Sequence, residues 1–303
     1  MTHVRRRFAA PGHIVTETSL DGATWAPTEN ALGYASPFSQ EWELEQLRRL
    51  RVADGDVVLP FRPLSVRDFT ISEKHNIDGA KGYARRFMPR LATVARGIET
   101  VTRRPVKALR PNKLWYEKPI YYLNNTVTFV PSGTPVAFPS YTKALDYELQ
   151  LAFVINQPLL DATPQEAEKA IGAFVVMCDF SARDVQIPEM QSGTGPQKGK
   201  HFLNSMSATA VTADEVIGSW RDLKGTVTVN GEVVARPFTS DAHYGLGELL
   251  AHASQSEQLV SGEMFSIGCL TYGSGMEMNH WIAPGDTIRL DLPGIGTIEH
   301  PII

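Results

Sequence analysis

The chain has 303 residues, of which 43% are hydrophobic and 20% are charged, so it can bury a large core and exceeds one minimal domain. Its net charge of -4, with no basic run longer than Arg5-Arg6-Arg7, excludes the electrostatic surface of a nucleic-acid-binding protein. No segment approaches the roughly 18 apolar residues of a membrane span, and no apolar signal-peptide region follows the arginines. We therefore expect a cytoplasmic protein that acts on a small molecule and binds neither nucleic acid nor membrane.

Residues 1–60 are rich in turn-forming residues and contain one predicted helix. Leucines at helical spacing follow Ser39, and Gly55 is predicted to end the helix. We interpret this part as a small N-terminal domain that precedes a catalytic domain over residues 61–303.

The next predicted element is a helical stretch from Val66 to Arg86, interrupted by glycines. Asp68 and His75 lie seven residues apart in it. If the helix is continuous, that spacing places both side chains on one helical face.

Strands dominate the pattern after residue 120. One is predicted over residues 126–130, and the clearest runs from Tyr147 to Ile155. In this strand the side chains of Glu148 and Gln150 point to one face, and the large apolar residues point to the other, namely Leu149, Leu151, Phe153 and Ile155. The two polar side chains are therefore neighbours.

The remaining elements alternate strands with short helices, which favours an α+β fold rich in β-structure. They are a capped helix from Thr163 to about Ala170, a buried strand Ile171–Cys178 that ends at Asp179, a hairpin over 226–234 with an Asn230-Gly231 turn, a helix over 247–256, a strand over 263–267, and a strand pair over 287–292 and 297–302.

Three acidic side chains lie in or beside apolar segments, namely Asp68, Glu148 and Asp179. A buried carboxylate is costly unless it is hydrogen-bonded, paired with a cation or bound to a metal. A hard divalent ion prefers such oxygen ligands on rigid elements, with open positions for substrate and water. The alternative is that the three belong to separate ion pairs, and spacing alone favours this alternative.

Short motifs recur along the chain in a fixed order, namely Arg67-Asp68-Phe69 with His75, Pro119–Tyr122, Val130–Pro135, Leu145–Ala152, Asp179–Gln186, Gly199-Lys200 with Phe202, and Gly275-Met276-Glu277. In these motifs and their order the chain resembles the fumarylacetoacetate hydrolase family over roughly residues 60 to 285. Ordered agreement of this kind is stronger than any single motif, and it reverses the preference for separate ion pairs.

The resemblance implies a fold and a metal site. The fold is a mixed β-sandwich roll with a small N-terminal domain, usually assembled as a homodimer. The metal is Mg²⁺, or Ca²⁺ or Mn²⁺, held by positions that match Asp68, Glu148, Gln150 and Asp179. Members of this kind cleave a carbon–carbon bond in a 1,3-diketone acid, while relatives decarboxylate, hydrate or isomerise 2-oxo acids.

The resemblance also implies catalytic roles. His75, oriented by Glu277, would deprotonate the attacking water, while Arg183, Gln186 and Lys200 would stabilise the oxyanion and the leaving enolate. Elementary chemistry supports the first role, because histidine titrates near neutral pH and a carboxylate on its second nitrogen fixes the tautomer.

Each of these assignments has an ordinary structural alternative. Lys200 can be a solvated loop lysine, and Arg183 can be an internal partner of Asp184 or another carboxylate. Tyr122 can bind substrate or merely pack against the sheet. Cys269 is expected to be inert, since no base stands beside it in the sequence.

The chain departs from the family pattern at four positions. Gln150 stands where a second glutamate is usual, which weakens the expected metal site by one charge. Thr70 and Met190 occupy tyrosine positions, and Cys269 replaces a threonine. The predicted substrate contacts are Tyr122, Gln186, Lys200, Thr70, Met190 and Cys269.

The leading hypothesis is a metal-dependent hydrolase of ketonic carbon–carbon bonds that cleaves an acylpyruvate or another β-diketo acid. One alternative is a decarboxylase, hydratase or tautomerase of a 2-oxo acid on the same scaffold. Another is an altered homologue with weak or no metal binding, in which Gln150 has removed a ligand charge.

Overall fold

The protein is described by a computed structural model over residues 1–9, 13–29, 31–33, 36, 38–50 and 56–303. The strands of these residues are β1 (His3–Ala9), β2 (His13–Ser19), β3 (Ala26–Pro27), β4 (Val57–Val58), β5 (Val66–Phe69), β6 (Tyr121–Asn124), β7 (Phe129–Pro131), β8 (Leu145–Asp146), β9 (Glu148–Ile155), β10 (Ile171–Asp179), β11 (Ser181–Ala182), β12 (Asn204–Met206), β13 (Thr209–Thr212), β14 (Thr226–Val229), β15 (Glu232–Ala235), β16 (Met264–Ser274), β17 (Thr287–Leu292) and β18 (Gly296–Pro301). The α-helices are α1 (Gln40–Arg49), α2 (Glu73–Phe87), α3 (Pro89–Thr102), α4 (Lys113–Glu117), α5 (Pro164–Glu168), α6 (Arg183–Gln191), α7 (Gln197–Lys200), α8 (Leu246–Ala253) and α9 (Gly275–Met278).

The strands form a large mixed sheet and two smaller sheets. The large sheet has twelve described strands, and its main path runs β3-β2-β1-β13-β10-β9-β16-β5-β6. Most neighbours are antiparallel, but β16 pairs with β5 and β12 pairs with β7 in parallel. A four-stranded sheet has the order β15-β14-β17-β18, and β8 pairs with β11. This architecture confirms the predicted α+β, β-rich class.

Strand β9 lies near the middle of the large sheet and is buried on both faces. Leu149 and Phe153 belong to one apolar cluster, whereas Ala152 and Val154 belong to another on the opposite face. The predicted alternation is therefore correct. Glu148 and Gln150 lie on the same face as Ala152 and Val154, at the start of the strand. Because both polar side chains are buried, they need polar partners inside the protein.

The register of the central strands brings distant polar residues together. Asp68 on β5 lies opposite Tyr122 on β6 and opposite Ser266 on β16. Gln150 on β9 lies opposite Cys269 on β16. Four strands thus deliver these five side chains to one region of the sheet.

The predicted continuous helix from Val66 to Arg86 is wrong. Asp68 lies in strand β5, and helix α2 begins only at Glu73. Ser72 provides the reason, because its side chain accepts a hydrogen bond from the backbone N–H of His75 and caps the helix there. Asp68 and His75 therefore do not share a helical face.

A second correction concerns residues 126–130, which were predicted as one strand. Thr126–Thr128 form a 3₁₀ turn, and the strand begins only at Phe129. The Asn125 side chain accepts a hydrogen bond from the N–H of Val127 at 3.3 Å, which favours the turn. The other predictions were close, including the capped helix after Thr163 and the hairpin with the Asn230-Gly231 turn.

The N-terminal residues are joined to the large sheet through β1, which pairs with β13. Helix α1 begins after the cap Ser39, as predicted, and its Leu47 packs in a small cluster with Phe8 and Val58. The predicted end at Gly55 lies outside the described residues. The domain division at residue 60 stays a prediction.

Helix α2 packs very closely on α9. A Cβ atom on Gly82 would lie 2.0 Å from the backbone oxygen of Met276, so only glycine fits there. This contact holds the helix that carries His75 against the turn that carries Glu277. None of the described helices has the length and apolar character that crossing a membrane requires.

Candidate active site

A cavity of about 690 Å³ lies between α2, α6 and the central strands. Most of the predicted site residues line it, and Asp179 and Glu277 are buried outside its wall. The predicted residues in the wall are Asp68, Thr70, His75, Tyr122, Glu148, Gln150, Arg183, Gln186, Met190, Lys200 and Cys269.

His75 and Glu277 form the predicted pair. The Nδ1 atom of His75 lies 2.9 Å from Oε2 of Glu277, and only 12% of the histidine side chain is exposed. Burial is the largest influence and lowers the pKa of His75, but the charge and hydrogen bond of Glu277 together with the charge of Glu148 raise the pKa above its ordinary value. The contact is short but lacks hydrogen-bond geometry, so Nδ1 is buried without a hydrogen-bond partner among the described residues. Nδ1 is still the nitrogen nearer to the carboxylate, which leaves Nε2 for proton transfer.

Glu277 is fixed by the turn that carries it. Its carboxylate accepts hydrogen bonds from the N–H of Tyr272 at 3.0 Å and from the hydroxyl of Ser274 at 2.9 Å. In return the Ser274 side chain accepts from the N–H of Glu277, which completes a capping box at α9. The carboxylate therefore cannot swing away from His75.

Lys200 is an internal cation rather than a solvated loop residue. Its Nζ lies 2.8 Å from Glu148 and 2.7 Å from Asp179, and its side chain is 3% exposed. Burial lowers the pKa of Lys200, but the two carboxylates outweigh burial and raise it. Burial raises the pKa of Glu148, but Lys200 and Arg183 outweigh burial and lower it. Lys200, Arg183 and Glu148 therefore hold one another in their charged forms, whereas burial raises the pKa of Asp179.

Tyr122 links Asp68 with Asp179. Its hydroxyl lies 2.9 Å from Oδ2 of Asp68 and also contacts Asp179. Burial and the charge of Asp179 raise the pKa of Asp68 well above its ordinary value. We call Asp68, Glu148 and Asp179 the acidic cluster. Tyr122 is thus a partner of this cluster as well as part of the cavity wall.

Gln150 faces the acidic cluster with its nitrogen. Its Nε2 donates to Asp68 at 3.1 Å and to Glu148 at 2.9 Å. Its Oε1 accepts from the hydroxyl of Ser266, whose oxygen in turn accepts from the N–H of Gly268 at 3.0 Å. Because ionised Glu148 can only accept hydrogen bonds, the amide presents its nitrogen to it, and an amide nitrogen cannot bind a cation.

Arg183 depends on a residue that the sequence reasoning missed. Its Nε lies 2.8 Å from Asp146 and its Nη1 lies 2.7 Å from Glu148. Asp146 also accepts from the N–H groups of Gly275 and Met276, so it ties Arg183 to α9. The available signal in the sequence was an acidic residue at the start of the apolar segment, two positions before Glu148. The internal-pair alternative is therefore correct in kind, although the partner is not Asp184.

One nitrogen of Arg183 remains available. Nη2 is buried and has no hydrogen-bond partner among the described residues, while Nη1 donates to Gln186 at 2.9 Å. An unpaired buried donor is costly unless a ligand satisfies it. Arg183 and Gln186 together therefore offer polar contacts for a substrate oxygen.

The substituted positions all lie in the cavity wall. The hydroxyl of Thr70 donates to Asn76 at 3.1 Å, and Met190 is half exposed beside Gln186. Burial raises the pKa of the Cys269 thiol well above its ordinary value, which favours an inert thiol, although the structure places the carboxylate of Glu277 3.8 Å from its sulfur.

The donor set fits a divalent ion in part. Asp179 has a buried Oδ1 without a hydrogen-bond partner in the described part of the chain, which a cation would satisfy. The carboxylates of Asp68 and Glu148 supply further oxygen atoms, whereas Gln150 as oriented supplies none. Ligand atoms of His75, Glu148 and Cys269 also lie within 4.8 Å of one another, so these three offer a mixed donor set.

Comparison with known proteins identifies related sequences and structures. Residues 95–303, more than half of the chain, match the family model described as fumarylacetoacetate (FAA) hydrolase C-terminal. The chain is 27% identical over 151 residues to the mitochondrial oxaloacetate tautomerase FAHD1 of Bos taurus, covering 50% of this chain and 68% of that protein. It is 28% identical over 153 residues to the oxaloacetate tautomerase YcgM of Escherichia coli (strain K12), covering 50% and 70%.

Solved structures share the fold over the whole chain. The 2-hydroxyhepta-2,4-diene-1,7-dioate isomerase of Mycobacterium marinum superposes with a TM-score of 0.67 at 19% identity, covering 100% of this chain and 98% of that one. A fumarylacetoacetate hydrolase of Exiguobacterium antarcticum superposes with a TM-score of 0.69 at 18% identity, covering 99% of both chains. At these identities the likeness concerns the fold alone.

Proposed function

The chain belongs to the fumarylacetoacetate hydrolase family, and from that premise we propose that it hydrolyses a carbon–carbon bond in an acylpyruvate or a related β-diketo acid. The observation that carries the proposal is the His75–Glu277 pair at 2.9 Å in the wall of the cavity. Hydrolysis needs a base for water, and this pair supplies one.

His75 acts first in the proposed reaction. Its Nε2 takes a proton from water as the water oxygen attacks the keto carbon, and Glu277 stabilises the imidazolium that forms. The carbon–carbon bond then breaks, and its electron pair moves onto the leaving 2-oxo acid fragment as an enolate. The proton on His75 returns to that fragment, so one water molecule is consumed and a carboxylic acid and a 2-oxo acid are released.

Fixed donors surround the charge that develops. Arg183 has a buried Nη2 without a described partner, and Gln186 adjoins it. Lys200 lies among the same carboxylates with its ammonium group charged. Such preorganised groups stabilise an oxyanion or enolate more effectively than water does. We assign all three residues to charge stabilisation and Tyr122 to a substrate contact.

We propose that Asp68, Glu148 and Asp179 hold a divalent ion, Mg²⁺ or else Ca²⁺ or Mn²⁺, with Gln150 as a fourth ligand only after its amide turns. Such an ion, when bound, withdraws electron density from substrate oxygens. The orphaned Oδ1 of Asp179 supports this assignment. The orientation of Gln150 supports a site weaker than one with four carboxylates.

A tautomerase of a 2-oxo acid is the second candidate. Relatives named oxaloacetate tautomerases match half of this chain, and tautomerisation uses a base and a stabilised enolate without attacking water. His75, Arg183 and Lys200 serve that reaction equally well.

Product analysis in heavy-oxygen water separates the two candidates. We expect an acylpyruvate to yield a carboxylic acid that carries one solvent oxygen, as detected by mass spectrometry. Release of keto and enol forms without cleavage would instead establish the tautomerase. His75→Ala is the control, because it should remove the labelled product.

We also propose that the enzyme works in the cytoplasm as a homodimer. The family resemblance supports the assembly, and the composition supports the compartment. Sedimentation of the purified chain would test the dimer, and a single species at the mass of one chain would contradict it.

A further inference from the structure

The cavity is bounded by two helices that both begin at the charged groups and run outward. Helix α2 contributes His75 near its start and Ala84 near its end, nine residues later, or about 13 Å along the axis. Helix α6 contributes Arg183 at its start and Met190 about 10 Å further along. The cavity therefore has an inner end with the charged cluster and an outer end beyond it.

The outer end is lined by apolar side chains. We call this lining the outer wall, and its members are Ala80, Tyr83, Ala84, Leu109, Ile187 and Met190. The polar groups at this end are uncharged, namely the Tyr83 hydroxyl and, next to Met190 at the end of α6, the amide of Gln191. Among the described residues of the cavity, the lysine and arginine side chains are Lys200 and Arg183, and both belong to the inner end.

Cations on the neighbouring turns of α2 are engaged elsewhere. Lys81 pairs with Glu99 at 3.0 Å. Arg85 donates to the backbone oxygen of Glu277, and Arg86 donates to that of Lys143, each at 2.8 Å. These side chains are absent from the described lining of the cavity, so they do not offset an anion at the outer wall.

Helix dipoles reinforce the asymmetry. The first turns of α2 and α6 lie at the inner end, where their partial positive charge favours a carboxylate or an enolate. The last turn of α6 lies toward the outer end, where its partial negative charge disfavours an anion, whereas the end of α2 is offset by the first turn of α3, which begins after Met88. Burial of a carboxylate against apolar side chains carries a further desolvation cost.

We propose that the substrate is a monoanion, in which a 2-oxo acid head binds at the inner end and an alkyl or aromatic acyl tail packs on the outer wall. A substrate with a second carboxylate at the far end of the tail is disfavoured. This inference rests on the proposed function for the chemistry of the head, and it adds the chemistry of the tail.

Two unreactive head mimics of equal chain length test the proposal. N-butyloxamate carries an apolar tail, and N-(3-carboxypropyl)oxamate replaces the terminal methyl group with a carboxylate. Calorimetric titration of the wild-type chain should give a dissociation constant for the butyl compound at least about tenfold lower, because the second carboxylate loses water without gaining a partner. Equal affinity, or tighter binding of the dicarboxylate, would overturn the proposal.

A charge introduced into the outer wall sharpens the test. Met190→Arg should narrow or reverse the preference, since the half-exposed side chain can carry a guanidinium into the outer end. Leu91→Arg is the matched control, because Leu91 is exposed and does not line the cavity, and the preference should stay unchanged. A preference that both variants leave unchanged, or both alter alike, would count against the outer wall.

Lys107 is exposed and adjoins Ala108, which lines the cavity. The wild-type chain could instead prefer the dicarboxylate, and Lys107→Ala could remove that preference. Lys107 would then bind the carboxylate at the end of the tail, and the proposal would be wrong. The binding assay does not depend on which reaction follows. Failure of solvent-oxygen incorporation would therefore refute hydrolysis, while an inverted binding preference would refute the apolar tail.

Discussion

The base side and the carboxylate side of the site are built on different principles. On the base side, His75 faces one carboxylate, Glu277, which a capped turn holds in place. On the carboxylate side, several donors and acceptors share partners, and Lys200 connects Glu148 with Asp179. The first arrangement prepares one proton transfer, whereas the second is a charge network in which each member stabilises the others. The two sides should therefore respond differently to substitution.

The largest expected effect is on the base side. His75→Ala should lower kcat by about 10²–10⁴-fold, because general base catalysis is lost. Binding of oxalate, measured by calorimetry, should change little. His252→Ala, on α8 and away from the cavity lining, is the matched control. Turnover preserved in the His75 variant would refute the assigned base.

Removal of the internal cation should break the carboxylate side. Lys200→Met leaves Glu148 and Asp179 without their shared partner, so the free energy of unfolding in urea should fall by roughly 3–5 kcal/mol. Lys198→Met, at an exposed position two residues earlier, should change it by less than about 0.5 kcal/mol. Equal losses in both variants would show that the network does not depend on Lys200.

The pH dependence reports on the coupling within the base side. His75 must be neutral to accept a proton, and Glu277 raises its pKa, so activity should rise with pH through that raised pKa. Glu277→Gln should move the rise to lower pH and reduce kcat by roughly 10- to 100-fold, as loss of a histidine-orienting partner does elsewhere. Glu73→Gln, whose side chain bonds the exposed Tyr116, should leave the profile unchanged.

The same pair contributes to stability with a defined sign. Because the folded-state pKa of His75 is raised, the contribution is fully present below the unfolded-state pKa and is lost as pH rises through the folded-state pKa. Unfolding measurements on wild type and Glu277→Gln across this range would check it. A difference that grows with rising pH would contradict the assigned pair.

A carboxylate at position 150 should strengthen metal binding on the carboxylate side of the site. Gln150→Glu adds a charged ligand and removes two donated hydrogen bonds, so Mg²⁺ should bind at least about tenfold tighter by calorimetry. Gln191→Glu, also in the cavity wall but at the end of α6, is the control. Equal gains from both substitutions would mean that only the general charge matters.

The smallest expected effect concerns Ser266, which orients the amide of Gln150. Ser266→Ala should lower the free energy of unfolding by about 1 kcal/mol and tighten Mg²⁺ binding a few-fold, because the amide can then turn its oxygen inward. Ser254→Ala removes a buried hydroxyl that does not line the cavity, so it should cost stability without changing metal affinity. Unchanged metal affinity in the Ser266 variant would refute the role of this hydroxyl.

The contents of the site could be predicted from the sequence because they follow from local signals. The alternation along β9 placed Glu148 and Gln150 together, and the buried strand before Asp179 placed that residue at its end. The ordered motifs then brought His75, Lys200 and Glu277 into one hypothesis. In the structure the cavity wall or its immediate surroundings contain all of them.

The partners within the site could not be predicted, because they depend on the register between distant strands. Ser266 reaches Gln150 across 116 positions of sequence, and Asp146 reaches Arg183 across 37. The prediction of one continuous helix was wrong for a related reason. The spacing of Asp68 and His75 suits a helix, but Asp68 lies in a strand and the helix begins only after the cap at Ser72. Helical spacing alone does not reveal such a change from strand to helix.

The missing side chain at Gly82 has a consequence for how this enzyme would tolerate mutation. A single methyl group there would collide with the backbone of Met276 and push apart the supports of the proton-transfer pair, although Gly82 does not line the cavity. A saturation screen for activity would therefore score Gly82 as intolerant alongside His75. In this protein, a position that tolerates no replacement can therefore be one of very close backbone packing as well as one with a catalytic role.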